Sequence, residues 1–372
     1  MTTPTKFSKR GHHPDYLLLV ATCIITILGL VILASASSDI GKIRFNDSYY
    51  YLKHQMVNGL AIGLLGLAVA WFIRYQHYRR LSFIALLLNL GLLVLVFVPS
   101  FGIAGGGASR WVGVGPISFQ PAELLKITYI IYLAAWLANP KMNRVKDMAQ
   151  GFVPFLVISG VIAALLFAQP ATSVVVILIS AGLAIYFVSG APWRYFFITI
   201  GAGLLGLALL VRFTPYRWER IQTFLHPTKD TQGAGYQINQ ATIAIGSGQL
   251  TGIGYGQSTS KINRLPAPLD DSIFAIAAQE LGFIGAGGLV MLFGLIVFRL
   301  LWLARQLRDR FGSLLLIGFA TIIAFQSIVN MGAISGLIPL TGVPLPFVSY
   351  GGTALAVFLT MIGISLNISK YT

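Results

Sequence analysis

Ten apolar stretches, each about as long as a lipid bilayer is thick, dominate this chain. A hydrocarbon core of ~30 Å needs ~20 mostly apolar helical residues to cross it. Such stretches lie near 16–37, 54–73, 81–99, 119–138, 152–169, 171–189, 195–212, 272–298, 312–337 and 347–368. The fifth and sixth form one apolar run, too long for a single crossing, and Pro170 is the natural turn point within it. Composition agrees: 56% of the 372 residues are hydrophobic and 10% are charged, against about 25% charged in a soluble domain. So few charges cannot cover a water-facing surface. Soluble, secreted and disordered classes are therefore excluded. The expected fold is an all-α polytopic membrane protein with ten transmembrane helices, forming a single integral membrane domain over 1–372.

The chain carries 26 Lys and Arg against 11 Asp and Glu, a net charge of +15. In a soluble protein that excess would point to nucleic acid. Here the basic residues sit in short runs between apolar stretches, the positive-inside pattern, and no nucleic-acid partner is expected. Lys6, Lys9 and Arg10 precede the first span. Arg74, Arg79 and Arg80 follow the second, Lys141, Arg144 and Lys146 the fourth, and Arg194 the sixth. Arg299, Arg305, Arg308 and Arg310 join the eighth to the ninth. All fall on one side if ten spans place both termini in the cytoplasm. The outer side then carries 99–118, the large loop 213–271 between spans seven and eight, and a Pro-rich turn at 338–346. The large loop holds Arg217, Arg220, Lys229, Lys261 and Arg264 against Glu219, Asp230, Asp270 and Asp271. An anionic ligand such as a phosphate and a merely solvated loop surface both fit that charge. One cysteine, Cys23, excludes a disulfide framework.

Three constellations bring polar chemistry to this apolar chain. Glu123 and Lys126 are three residues apart, on one face of a helix that starts near Pro121. Charges in a membrane helix are costly and face a protein interior or a wet cavity, so the pair reads either as the wall of an outward-opening cavity or as a self-neutralising ion pair. Arg110 and Trp111 lie just upstream. Asp270 and Asp271 stand at the start of span eight, where one acid is a helix cap but two cannot both be ideal caps. An acid at a cavity mouth edged by Arg and Lys is a general-base arrangement. Glu280 lies about two and a half turns deeper, in the same cavity or against a neighbouring helix. The third constellation runs from Asn330 through Pro339, Gly342, Pro344 and Pro346 to Ser349 and Thr353. It is a Gly- and Pro-punctuated break between two spans, tolerated at membrane depth only where protein or a cavity satisfies the backbone. Gly252-Ile-Gly-Tyr-Gly256 has the look of a dinucleotide fingerprint but no βαβ setting, and is read as tight turns.

The third constellation resembles the signature of the SEDS family (shape, elongation, division and sporulation), the RodA/FtsW group. Further blocks resemble the family in the same order: Gly107-Ala-Ser-Arg-Trp111, Gln120-Pro-Ala-Glu-Leu-Leu-Lys126, Ala168-Gln-Pro170, Gly235-Tyr-Gln237, Ala244-Ile-Gly-Ser-Gly248 and Glu280-Leu-Gly282. The resemblance spans nearly the whole chain. It implies a peptidoglycan glycosyltransferase that polymerises lipid II at the outer face of the bacterial cytoplasmic membrane, for division or cell-shape maintenance. It also implies a class B penicillin-binding protein as the partner transpeptidase, within the division or elongation machinery. The family's essential acid lies in a Leu-Pro-x-x-x-x-Asp-x-Ile-Phe-Ala block, which here reads Leu265 to Ala275 and puts the catalytic role on Asp271. Matching blocks make Arg110, Trp111, Glu123, Lys126, Arg220, Gln237, Lys261 and Ser349 the expected substrate-binding residues. The sequence departs from the family at Ala171, where an Asp is usual. Asn46 to Tyr51 followed by Gln55 leans to the division branch.

In physical terms, external cations hold the lipid II pyrophosphate while Asp271 takes a proton from the acceptor 4-hydroxyl. The oxygen then attacks the donor anomeric carbon and inverts it. A divalent cation, Mg or Mn, fits the leaving group's charge, although no protein ligand set is readable. The alternatives are a lipid II flippase, which needs access from both sides and acids near the midplane, and a non-catalytic scaffold, for which Asp271 is dispensable.

Overall fold

The computed structural model describes residues 13–105, 108–114, 117–139, 143–226, 233–258, 260 and 265–372. Its helices in chain order are α1 Tyr16–Phe45, α2 Tyr50–Phe72, α3 Gln76–Leu95, α4 Pro121–Leu137, α5 Met148–Ala168, α6 Thr172–Val188 and α7 Trp193–Phe213. They continue with α8 Pro215–Leu225, α9 Ala234–Ser247, α10 Ile273–Gln306, α11 Arg310–Ile334 and α12 Gly352–Ser369. Each of the ten apolar stretches coincides with one helix. Among the described residues, eight helices are long and apolar enough to cross a membrane, and α6 is a shorter apolar helix. The apolar run from 152 to 189 is divided where expected: α5 ends at Ala168 and α6 begins at Thr172.

The helices pack as a bundle in which α2 lies along α12, α10 along α11, α3 along α4, α6 along α11 and α1 along α10. Small residues let the backbones approach, as membrane helices require. At Gly363 in α12, a Cβ would sit 2.5 Å from the Leu67 carbonyl of α2. Helix α7 is the outlier. Of its side chains only Tyr195 and Thr199 are buried, so most of its apolar surface is left to lipid.

Two features depart from the sequence expectation, and both position the site. The segment 99–118, read as a loop, contains a three-stranded antiparallel sheet: β1 Gly102–Gly105, β2 Ala108–Val114 and β3 Ile117–Phe119. Its strands are short and glycine-rich, so they carry too weak an alternation to be seen. Trp111 pairs with Ile103 and Ser109 with Ala104, which leaves Arg110 as the extra residue of a β-bulge.

The second departure is a break inside α10. Gly282 takes a left-handed φ of 67° in mid-helix, and the loop 249–254 fills the gap. Ile253 N–H donates to the Gln279 carbonyl at 3.0 Å and Gly254 N–H to that of Glu280 at 3.2 Å. In return, Phe283 and Ile284 N–H donate to the Gln249 and Leu250 carbonyls at 2.8 and 3.1 Å. The groups freed by the break are thereby satisfied without water, as membrane depth demands. Only glycine fits on both sides, since a Cβ on Gly252 would sit 2.1 Å from the Glu280 carbonyl oxygen. The turn reading of Gly252, Gly254 and Gly256 agrees with their φ of 81°, 106° and 80°.

Candidate active site

The stretch between α11 and α12 has no regular structure, and polar side chains from two helices, with one of its own, fix its course. Asn330 on α11 donates from Nδ2 to the Val343 carbonyl at 2.7 Å. Gln326, one turn earlier, donates to the Pro344 carbonyl at 2.8 Å. Gln55 of α2 takes the Gly351 N–H at 3.0 Å. Ser349 accepts the Leu345 N–H at 2.8 Å and donates to the Asp270 carbonyl. Its hydroxyl is thus spent on tying the stretch to the turn that bears the acids. Tyr350 N–H adds a bond of 2.9 Å to the Leu269 carbonyl, and Asn330 Nδ2 one of 3.0 Å to the Asp271 carbonyl.

Asp271 ends that turn, half-buried, on a narrow crevice lined also by Asn330, Ala333, Leu340, Thr341 and Gly342. Gln237 of α9 donates to Asp271 Oδ1 at 3.2 Å and to Ser272 Oγ at 2.9 Å. Burial pushes the Asp271 carboxyl above its ordinary pKa. The Gln237 bond, the Arg220 charge and Ser272 pull the other way. Asp270 is the more exposed of the two. Desolvation by the surrounding turn and the Asp271 charge raise its pKa to about 6. The two acids therefore divide, with Asp271 on the crevice within the field of a guanidinium and Asp270 on the outer side.

Two expected cations stand around this crevice. Arg220 on α8 donates to the Leu340 carbonyl at 2.9 Å, which holds its charge beside the crevice wall. Arg110, freed by the β-bulge, donates from Nε to the Gln169 carbonyl at 3.1 Å and from Nη2 to the Pro170 carbonyl at 2.7 Å. The α5–α6 turn is joined to the crevice wall by Ser173 Oγ, which donates to the Thr341 carbonyl at 2.8 Å. Trp111 is half-buried in β2. Lys261 lies outside the described residues.

Glu123 and Lys126 form no outward-opening cavity. Lys126 Nζ lies 2.7 Å from both Glu123 oxygens and 2.8 Å from Gln326 Oε1, over the Phe358 ring. The two side chains are 3% and 1% exposed. A buried ion pair survives only when its remaining donors and acceptors are met, and Gln326 completes this one. Through Gln326 the pair braces the 338–351 stretch. Glu280 is likewise buried, accepting from Ser35 of α1 at 2.6 Å; it belongs to the α1–α10 contact rather than to the crevice. The sequence reading missed Gln326 as a site-shaping residue, although it opened the Gly- and Pro-punctuated stretch at Asn330. The signal was present: two amides four apart on an otherwise apolar helix share one face.

No group of three His, Cys, Asp or Glu side chains able to hold a metal occurs among the described residues. The crevice does offer oxygens. Asn330 Oδ1 and Thr341 Oγ1 are buried without a hydrogen-bond partner, and Asp271 lines the same space. One carboxylate with neutral oxygens suits Mg held partly by substrate phosphate, not a protein cage.

A bundle of long apolar helices with its polar groups gathered around one carboxylate at the helix ends is a multi-pass membrane protein with a built polar site. The chain belongs to the FtsW/RodA/SpoVE family: the family model, described as a cell cycle protein, matches residues 15–372. It is 36% identical over 359 residues to stage V sporulation protein E of Bacillus subtilis, covering 96% of this chain and 98% of that protein. It is 35% identical over 364 residues to a probable peptidoglycan glycosyltransferase FtsW of a Geobacter species, covering 97% and 98%. Among solved structures, a chain of a peptidoglycan synthase complex that coordinates polymerization and crosslinking superposes with a TM-score of 0.80 at 29% identity, over 96% of this chain and 97% of that one. The rod shape determining protein RodA of Thermus thermophilus gives 0.71 at 28% identity, over 96% of each chain.

Proposed function

We infer that this protein is a peptidoglycan glycosyltransferase, a multi-pass protein of the bacterial cytoplasmic membrane. We propose that it polymerises lipid II at the outer face. The observation that carries this reading is the setting of Asp271: a carboxylate held by Gln237, within the field of Arg220, on a crevice at the bundle's end. Ionised Asp271 accepts the proton of the acceptor 4-hydroxyl as that oxygen forms its bond to the donor anomeric carbon. The bond from that carbon to the pyrophosphate oxygen breaks, and the undecaprenyl pyrophosphate departs with the electron pair. Arg220 and Arg110 are placed for the charge on the phosphates, Lys261 is the further external candidate, and Trp111 sits beside Arg110 in β2. Glu123, Lys126 and Ser349 act by holding the 338–351 stretch, and Gln237 by orienting Asp271. A divalent cation at Asp271, Asn330 and Thr341 would neutralise the departing pyrophosphate. Ten spans with cytoplasmic termini, the large loop 213–271 outside, a class B penicillin-binding protein as partner and a role in division complete the reading.

The test is polymerisation of purified lipid II with Mg, with and without the cognate partner, resolving glycan strands on a gel. Wild type is expected to give ladders and Asp271→Asn none. Absence of ladders from every sample, with intact lipid and a verified partner, would favour a flippase or a scaffold. Equal ladders from both proteins would keep the enzyme and remove Asp271 as its base.

A further inference from the structure

Arg217 is placed unlike Arg220, the other described cation of the large loop. Its Nε donates to Thr172 Oγ1 at 3.1 Å and its Nη1 to Thr214 Oγ1 at 3.0 Å, with the guanidinium carbon 5.9 Å from the centre of the Phe167 ring. Two hydroxyls and a ring from three elements thus fix a half-buried guanidinium. Among the described residues no carboxylate pairs with it and no acceptor is bonded to its Nη2. Both threonine oxygens accept from Arg217, so each keeps its own proton to donate. The result, among the described residues, is three donors and no counter-charge.

The surroundings add to the imbalance. Thr172 opens α6, whose capping position is Ala171, with no side chain to accept the helix's first N–H groups. Arg110 is bonded to the same turn, at residues 169 and 170. Arg110 takes carbonyls at the C-terminal end of α5, where the helix dipole is negative, so of the two guanidiniums Arg217 is the one held at the positive end of α6. A guanidinium fixed at a helix N-terminus costs free energy unless an anion is bound. The neighbouring residue, Ser173, touches Thr341 on the crevice wall. The weakly packed, lipid-facing α7 leads directly into Thr214.

We propose that Arg217, Thr172 and Thr214 seat a phosphoryl group of a membrane lipid beside the Asp271 crevice. The donor set defines the ligand's chemistry; the glycosyltransferase reading enters only in naming the polyprenyl pyrophosphate carrier as its source. The other source of the same chemistry is the headgroup of a bulk anionic lipid.

The test is binding to full-length protein in phosphatidylcholine nanodiscs, with undecaprenyl pyrophosphate, neutral undecaprenol and phosphatidylglycerol as separate probes. Arg217→Gln is expected to weaken undecaprenyl pyrophosphate by about tenfold or more, the usual weight of charge-assisted hydrogen bonds, and to leave undecaprenol unchanged. Thr172→Val with Thr214→Val keeps the charge and removes the hydroxyls. That pair should lose part of the same affinity, and it decides the matter should Arg217→Gln not fold. Loss confined to phosphatidylglycerol would support the site with a bulk headgroup as its source. Unchanged binding of both phosphorylated probes, in variants that melt like wild type, would overturn the site. Intact Arg217-dependent binding without polymerisation would remove the enzyme and keep the site, and the reverse result would do the opposite.

Discussion

Asp271 is held between burial, which favours its neutral form, and Gln237, Arg220 and Ser272, which favour its charge. Burial is the larger influence, so the folded-state pKa lies above the unfolded value. Such a carboxyl favours the folded state most at pH below its unfolded pKa, and that contribution is lost as pH rises through the folded pKa. Above that pKa the folded protein therefore bears the cost of an ionised, partly desolvated acid. Asp271→Asn removes it, so its melting temperature should gain on that of wild type as pH rises through the Asp271 pKa, while polymerisation loses ~10²–10⁴ in rate, the usual weight of a general base. Thermal unfolding and a glycan-strand assay on the same samples check both halves. The same balance sets the acidic limb of the pH profile. A base must be ionised, so activity should fall as pH drops through the Asp271 pKa. Arg220→Gln removes a charge that lowers that pKa and should move the limb to higher pH; an unmoved limb would mean that Arg220 does not act on the base. Asp270 bears on the limb as well, because adjacent carboxyls titrate as a pair.

At the level of elements, α4 and α11 are joined through Glu123, Lys126 and Gln326, and α11 is joined to the 338–351 stretch through Gln326 and Asn330. Removing one member of a buried ion pair leaves the other charge uncompensated, at a cost of ~3–5 kcal/mol. Lys126→Met should show that loss in thermal unfolding, and adding Glu123→Gln should recover part of it. Because the pair braces the stretch above Asp271, the single variant should also lose activity although neither residue faces the crevice. Every long helix was legible in the sequence, since an apolar run in lipid has few alternatives to a helix. The small sheet and the break at Gly282 were not. Strands of three to seven residues rich in glycine leave little periodic signal. A break satisfied by four backbone bonds from loop 249–254 is written in contacts distant along the chain. Asp271, Arg220 and Gln237 were legible as separate blocks, but their meeting was not. It depends on α8 and α9 folding back over the bundle's end, which no local pattern encodes. The inward turn of Lys126 was illegible for the same reason: its deciding partner, Gln326, lies 200 residues away.

The whole molecule rests on one arithmetic choice made at Gln169-Pro170. With the chain turning there, as α5 ending at Ala168 and α6 starting at Thr172 require, and each apolar helix crossing once, four spans would separate the turn before α3 from the turn before α7. One more, α7, would precede the large loop, and every short basic run would then lie on one side. Were 152–189 a single crossing, the basic turn between α10 and α11 would face away from the one between α2 and α3. His77, at the start of α3, and Arg308, between α10 and α11, are both exposed and report these two turns; His226, at the end of α8, reports the large loop. Cys23 is the chain's one cysteine, so Cys23→Ala gives a clean background for single cysteines at those three positions. A membrane-impermeant maleimide added to spheroplasts should label His226→Cys directly, and His77→Cys and Arg308→Cys only after permeabilisation. If positions 77 and 308 label on opposite sides, the number of crossings between them is odd and the split at Pro170 fails. If 77 and 308 label from outside and 226 only after permeabilisation, the orientation inferred from the basic runs is wrong and Asp271 faces a compartment without acceptor glycan. Labelling of 77 and 308 from within, with 226 from without, puts Asp271 where a lipid-linked sugar crossing the membrane would meet it.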